Sequence, residues 1–289
     1  MKKDTKRSRL KMALFLRRAK RAVKERKGVF ILYLLLRLSV ILIMVAQFFN
    51  QNYENVFLCI LTLVLFMMPT FIEQKLRIRF PETMEVIILL FIYAAEILGE
   101  IHSMYIKIPV WDTILHSLNG FLVAAIGFCL VDLLNRNDNF KMKLSPVYLA
   151  IVAFCFSMTI GVFWEFFEFS MDYCFNMDMQ KDTVITSISS VTLDPAGLNN
   201  PVVIDGIHTV TVNGELLPVE GYLDIGLYDT MEDLFVNFLG AAVFSILGYF
   251  YVKNKGKGRK GKLAERFIPE VYQDLPDVDE MCLDREGKM

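Results

Sequence analysis

Residues 147–171 read VYLAIVAFCFSMTIGVFWEFFEFSM. The stretch has no lysine or arginine, and its only acids, Glu165 and Glu168, fall near its C-terminal end. A helix rises ~1.5 Å per residue, so roughly 20 mostly apolar residues cross a ~30 Å hydrocarbon core. This run is long enough, and residues 29–49, 56–72, 83–101, 112–134 and 229–252 also qualify. Pro81, Pro109 and Pro146 stand just ahead of three of these runs, where a missing N–H leaves nothing unsatisfied in a first turn. Of the 289 residues, 54% are hydrophobic, with 24 phenylalanines and 15 methionines, above the ~45–50% of soluble domains. That excess, gathered into long runs, excludes a disordered chain, a disulfide-built miniprotein and an ordinary cytosolic enzyme. The expected fold class is all-α membrane, a bundle of six transmembrane helices.

The net charge of −1 averages a basic N-terminal arm with an acidic remainder. Lysine and arginine crowd residues 1–28, are absent from 50–55, and return as Lys75, Arg77 and Arg79. Lys107 stands alone before Arg136, Lys141 and Lys143, and Lys181 alone before the cluster from Lys253 to Lys262. Because positive charge favours the cytoplasmic side, this alternation puts both termini in the cytoplasm. The expected organisation is a basic cytoplasmic arm (1–28), a membrane domain (29–252) and a flexible cytoplasmic tail (253–289). The arm reads as a topology signal or as a segment lying on anionic lipid; nucleic acid is not an expected partner, and the lipid bilayer is.

Between the fifth and sixth runs, residues 174–228 form an extracytoplasmic loop. Within it, Thr209-Val210-Thr211-Val212, Asn213-Gly214 and Glu215-Leu216-Leu217 spell a β-hairpin, since Asn-Gly accepts the positive φ angles of a two-residue turn. Residues 183–191 read as a second strand. A small β-cap over the outer mouth of the bundle follows. The five cysteines include no C-x-x-C pair, and phosphate loops, G-x-S-x-G elbows and H-E-x-x-H are absent.

Ionisable side chains are costly in a span and usually face the bundle interior or water. Here they share one end. Glu96 and Glu100 close the third run, Asp112 and His116 open the fourth, Glu165, Glu168 and Asp172 close the fifth, and Asp229, Glu232, Asp233 and Asn237 open the sixth. Every one of those ends is extracytoplasmic by the charge alternation. Asp112 and His116 are four apart, and Asp229, Asp233 and Asn237 are spaced by four, so each set occupies one helix face. Gly120, Ala124, Ala241 and Ser245 lie one to three turns deeper and allow close helix approach.

Carboxylates crowded in low dielectric repel, so some bind protons or a cation gathers them. Oxygen ligands with one imidazole suit a divalent metal, with His116, Glu165 and Asp233 as its ligands. Metal-free catalysis is the alternative, with Glu165 as general acid and His116, oriented by Asp112, as general base. Glu165, His116, Asp112 and Asp233 are the candidate catalytic residues; Glu168, Asn237, Asp229 and Glu96 are candidate binding residues. For Asp172, Asp229, Glu232 and Glu100, a terminal-turn position is also that of a side chain reaching water. Arg37 and Asp132 lie at the other end, where snorkelling or pairing explains them.

The elements Trp111-Asp112-Thr113-Ile114-Leu115-His116 with Gly120, Trp164-Glu165-Phe166-Phe167-Glu168, and Asp229-Thr230-Met231-Glu232-Asp233 with Asn237 and Gly240 resemble the YjdF-type family of bacterial inner-membrane proteins of unknown function. More loosely, their order is similar to that of VanZ-like membrane proteins linked to glycopeptide resistance. That family commonly has Gln after its Glu, whereas this chain has Glu168 and a far longer outer loop. The resemblance implies a multi-pass protein of the bacterial inner membrane and supplies no reaction. Three functions remain open: a membrane-embedded enzyme acting on a lipid-linked or cell-envelope substrate, an envelope scaffold, and an ion-coupled transporter. The inner halves of the spans carry few polar groups and no broken helix pair, which disfavours transport. Oligomeric state is not legible.

Overall fold

A computed structural model describes residues 26–76, 78–136, 144–254, 265–268 and 270–271. Most of the basic arm, Arg77, Lys141, Lys143 and the cluster from Lys255 onward lie outside the described residues.

Helix α1 (Lys27–Phe49) leads through a three-residue link to α2 (Tyr53–Leu65), where the Asn52 side chain accepts the Asn55 N–H. The second expected span is not one continuous helix. α2 stops at Phe66, and α3 (Met68–Leu76) begins anew. Pro69 sits in the first turn of α3 and cannot donate to the Leu65 carbonyl; Met67 instead donates to Val64 in a tightened turn. Strand β1 (Ile78–Arg79) and Pro81 precede α4 (Glu82–Ile92), which runs without a break into a π-helical segment, Tyr93–Ile101. The wider turn ends on a bond from the His102 N–H to the Ile97 carbonyl. Helix α5 (Met104–Lys107) is a single turn.

The remaining helices are long. α6 is Trp111–Arg136, α7 Pro146–Phe175 and α8 Leu227–Lys253. Ser145 caps α7 by accepting the Tyr148 N–H, with Pro146 in the first turn. Among the described residues, five helices are long and apolar enough to cross a membrane: Lys27–Phe49, Tyr53–Lys75 (counted through the Phe66–Met67 turn), Trp111–Asp132, Pro146–Phe175 and Leu227–Lys253. Their outward faces are apolar, with Leu34, Leu35, Leu38 and Leu42 on α1 and Phe163, Phe166 and Phe169 on α7 exposed, as expected where the surrounding solvent is lipid. Arg37 lays its guanidinium over the Tyr33 ring at 4.3 Å, a cation–π contact.

Helices α6, α7 and α8 pack against one another around Leu122, Ala124, Ala125, Phe128, Ala153, Ala241 and Phe244, while α1, α2, α4 and the π-helical segment gather around Val40, Cys59, Phe66, Leu89 and Ile97. The strands are short pairs. β5 (Thr211–Val212) and β6 (Glu215–Leu216) form the expected Asn-Gly hairpin. The single strand expected over 183–191 is two strands with different partners: β2 (Val184–Ile185) pairs with β7 (Tyr222–Leu223), and β3 (Ile188–Ser190) with β4 (Val202–Ile204). The β2–β7 ladder closes the base of the loop, so the insertion between α7 and α8 holds three strand pairs where one hairpin was expected. Past residue 264, part of the expected flexible tail is packed. Ile268 is buried, Phe267 meets Phe121 edge-on at 5.0 Å, and β8 (Glu270–Val271) pairs with β1.

Candidate functional site

Asp112 and His116 lie one turn apart at the start of α6. His116 Nε2 is 3.5 Å from Asp112 Oδ1 and 3.4 Å from Asp233 Oδ2 on α8, while Nδ1 is 3.9 Å from Glu165 Oε1 on α7. Three helices therefore converge on one imidazole. Side-chain exposure falls from 27% at Asp112 through 12% at His116 to 3% at Asp233, so the site opens beside Asp112 and closes at α8.

Glu168 joins Glu165 on the same stripe of α7, and its Oε1 accepts the Trp164 indole N–H at 2.8 Å. Four oxygens in this cluster are different. Glu165 Oε2, Glu168 Oε2, Asp233 Oδ2 and Asn237 Oδ1 are buried without a hydrogen-bond partner among the described residues. Leaving a buried acceptor unsatisfied costs about 1–3 kcal/mol, and more if it is charged. In the described ion pairs Glu165 and Asp233, like Asp112, meet His116 and no lysine or arginine. Two sets of potential ligands result, Asp112–His116–Asp233 and Glu165–Glu168–Asp233, each with its ligand atoms within 4.8 Å of one another.

Other acids in this layer serve the loop. Asp172 accepts the N–H groups of Met179 and Gln180, and Asp229 that of Lys181 at 2.9 Å. Gln180 Nε2 donates to Thr230 Oγ1, and Glu232 accepts the Thr113 hydroxyl at 3.3 Å. The layer thus divides into an inner group around His116 and an outer group in which Asp172 and Asp229 fasten the insertion to the ends of α7 and α8 and Glu232 ties α8 to α6. Asp229, a candidate binding residue by sequence, stands in the outer group. Glu96 lies on the π-helical segment, outside both ligand sets. Asn237 sits one turn below Asp233 with Nδ2 directed at Met158 Sδ, 3.6 Å away. His102 ends the π-helical segment, and His208 is exposed in the loop.

Two residues escaped the sequence reading. Asp224, buried, accepts the N–H groups of Thr183, Gly226 and Tyr228 and so anchors both the loop and the start of α8; its signal is an Asp-x-Gly just ahead of an amphipathic stripe. Gly161 admits Asn237, whose Nδ2 would be 2.6 Å from a Cβ there. Its signal is a lone glycine one turn before Glu165.

Apolar helices of membrane-crossing length and a buried polar cluster shared by three of them define a helical membrane protein. The chain belongs to the family described as Predicted membrane protein (DUF2238), the YjdF type, whose model matches residues 31–254. A relationship to VanZ-like proteins is not shown. No curated protein and no solved structure matches the chain.

Proposed function

We propose that this chain is a six-span enzyme of the bacterial inner membrane, with both termini cytoplasmic, whose outer-face site uses a divalent cation on a lipid-linked or cell-envelope substrate. Support for the sixth span comes from α4 and the π-helical segment, which form one uninterrupted run from Glu82 to Ile101, long enough at ~1.5 Å per residue to reach across the hydrocarbon core. The orientation rests on the Lys/Arg alternation.

One observation carries the functional reading. Buried carboxylates on two helices, each keeping one oxygen without a hydrogen-bond partner among the described residues, stand beside an imidazole on a third. A purely structural polar layer satisfies its own acceptors; this one leaves acceptors where a cation would complete them. His116, Asp112, Glu165 and Asp233 are the ligand candidates, with Glu168 beside them. A cation there would polarise a carbonyl or phosphoryl oxygen as a Lewis acid; with a single ion bound, Glu165 or His116, whichever is not ligating, would move the proton. Asn237, Asp229 and Glu96 would shape the surroundings of the site.

The test is metal content and thermal stability of detergent-purified protein. The expected result is a divalent ion that co-purifies, a fall in Tm on chelation, and loss of both effects in Glu165→Gln and His116→Ala variants that remain monodisperse. Metal-free protein with a Tm indifferent to chelator and to added divalent ions would overturn the reading.

A further inference from the structure

The two ligand sets share Asp233, and we propose that the site holds a pair of divalent cations of the manganese or magnesium class, bridged by the Asp233 carboxylate. This deepens the cation reading above and depends on it. The first ion takes His116 Nε2, Asp112 and Asp233; the second takes Glu165, Glu168 and Asp233.

Three observations argue for two ions. Charge comes first: Asp112, Glu165, Glu168 and Asp233 carry four negative charges when ionised. Two divalent ions match them, whereas one ion leaves two carboxylates uncompensated in a buried place, a costly arrangement. Geometry comes second. Oxygen ligands at ~2.1 Å from an octahedral ion lie ~3 Å apart when adjacent and ~4.2 Å apart when opposite. Nε2 of His116 is already 3.5 Å from Asp112 Oδ1 and 3.4 Å from Asp233 Oδ2, so shifts of a few tenths of an ångström complete the first set. A carboxylate presenting one oxygen to each ion suits the ~3.5–4 Å separation of two-metal sites.

The third observation is independent of the acidity. Glu165, Glu168 and Asp233 are only 5%, 7% and 3% exposed, each keeps one oxygen with no hydrogen-bond partner among the described residues, and each offers a ligand atom within 4.8 Å of the other two. The roles of the histidine nitrogens follow. With Nε2 on the first ion, Nδ1 is left 3.9 Å from Glu165 Oε1; a closer approach on metal binding would let a ligand of the second ion orient a ligand of the first, as outer-shell carboxylates do for metal-bound imidazoles.

The experiment adds Mn²⁺ to chelator-stripped, detergent-purified full-length protein, counts bound metal per chain, and records the electron paramagnetic resonance spectrum. Two ions per chain with an exchange-coupled spectrum are expected. Asp112→Asn and Glu168→Gln should each retain one ion with an uncoupled spectrum, and Asp233→Asn should bind neither tightly. If Asp233→Asn is not monodisperse, the other two variants decide. One ion per chain in the unaltered protein would overturn the pair while leaving the single-cation reading intact. No bound ion would overturn both. Two uncoupled ions insensitive to Asp112→Asn and Glu168→Gln would place the binding elsewhere and overturn the bridge.

Discussion

Gly120 on α6 meets Asn237 on α8 backbone to backbone, so closely that a Cβ on Gly120 would land on the Asn237 carbonyl oxygen. The relation is repeated at Gly240, where a Cβ would strike the Ser117 carbonyl. Gly120 follows His116 by one turn, and Asn237 follows Asp233 by one turn. The crossing of the two helices therefore sets the distance between the imidazole and the Asp233 carboxylate. Packing and site geometry are one arrangement here.

Gly120→Val and Gly240→Val should each force α6 and α8 apart. Overpacking against backbone, which cannot rotate away, should cost at least ~1–3 kcal/mol, seen as a lower Tm in detergent and as weakened metal binding. Gly28→Ala is the control, since nothing lies within 4 Å of a Cβ there, and it should change neither reading. Unaltered Tm in both valine variants would refute the close crossing.

Arg26 ties the start of α1 to the segment between α3 and α4. Its guanidinium donates to Glu85 Oε2 and to the Phe80 carbonyl, both at 2.6 Å, while Glu73 accepts the Phe80 N–H at 2.7 Å. Arg26→Ala leaves a part-buried carboxylate and carbonyl without this donor, a loss of about 1–3 kcal/mol. Arg26→Lys should recover only part, because an ammonium lacks the planar fork that serves two acceptors. Thermal melts of the three proteins check the order: native, then Lys, then Ala.

Residues 265–268 should be held against the bundle through Phe267 and Ile268. Ile268→Ala removes a buried side chain, and large-to-small changes of this kind cost ~2–5 kcal/mol. That energy exceeds what a two-residue β1–β8 ladder supplies, so residues 265–268 and 270–271 should detach. Limited proteolysis should then cleave there in Ile268→Ala and Phe267→Ala, and spare the unaltered protein. Equal cleavage rates would show that the packing contributes little.

Most of the membrane helices were legible because an apolar run of sufficient length has few alternatives in lipid. The stripe from Asp112 to His116 and that from Asp229 to Asn237 were legible because helical periodicity fixes which residues share a face. What could not be read was the division of labour among acids. Asp229 and Asp233 look alike in sequence, yet the first caps the Lys181 N–H and the second faces His116. That difference depends on where the loop folds back, and local spacing does not encode it. The Phe66–Met67 break had a visible cause in Pro69, but apolarity continuous across it masked the turn. The docking of Phe267 against Phe121 is a long-range contact behind a basic stretch whose composition reads as solvated chain.

Asp194 organises the loop between β3 and β4 by accepting the N–H groups of Ala196, Leu198 and Asn200. The Ala196 bond, followed by that from Asn200, holds its carboxyl below the usual carboxylate range. A group depressed in this way stabilises the folded loop above its ordinary value of about 4, and the contribution disappears as pH falls through the folded value. Protection of these three amides against hydrogen exchange, corrected for intrinsic rate, should be flat from neutral pH to about 4 and fall below it. Protection already lost near pH 6, or untouched in strong acid, would contradict this.

The central claim is that one imidazole and carboxylates from three helices enclose a cation. The chain has three histidines, of which only His116 faces the carboxylate cluster. The decisive measurement is electron–nuclear coupling between bound Mn²⁺ and ¹⁵N-histidine in the detergent-purified protein. Coupling to a directly ligating nitrogen is predicted, preserved when His102 and His208 are both replaced by Ala and abolished by His116→Ala. Bound manganese without nitrogen coupling, or coupling that survives His116→Ala, would contradict the account.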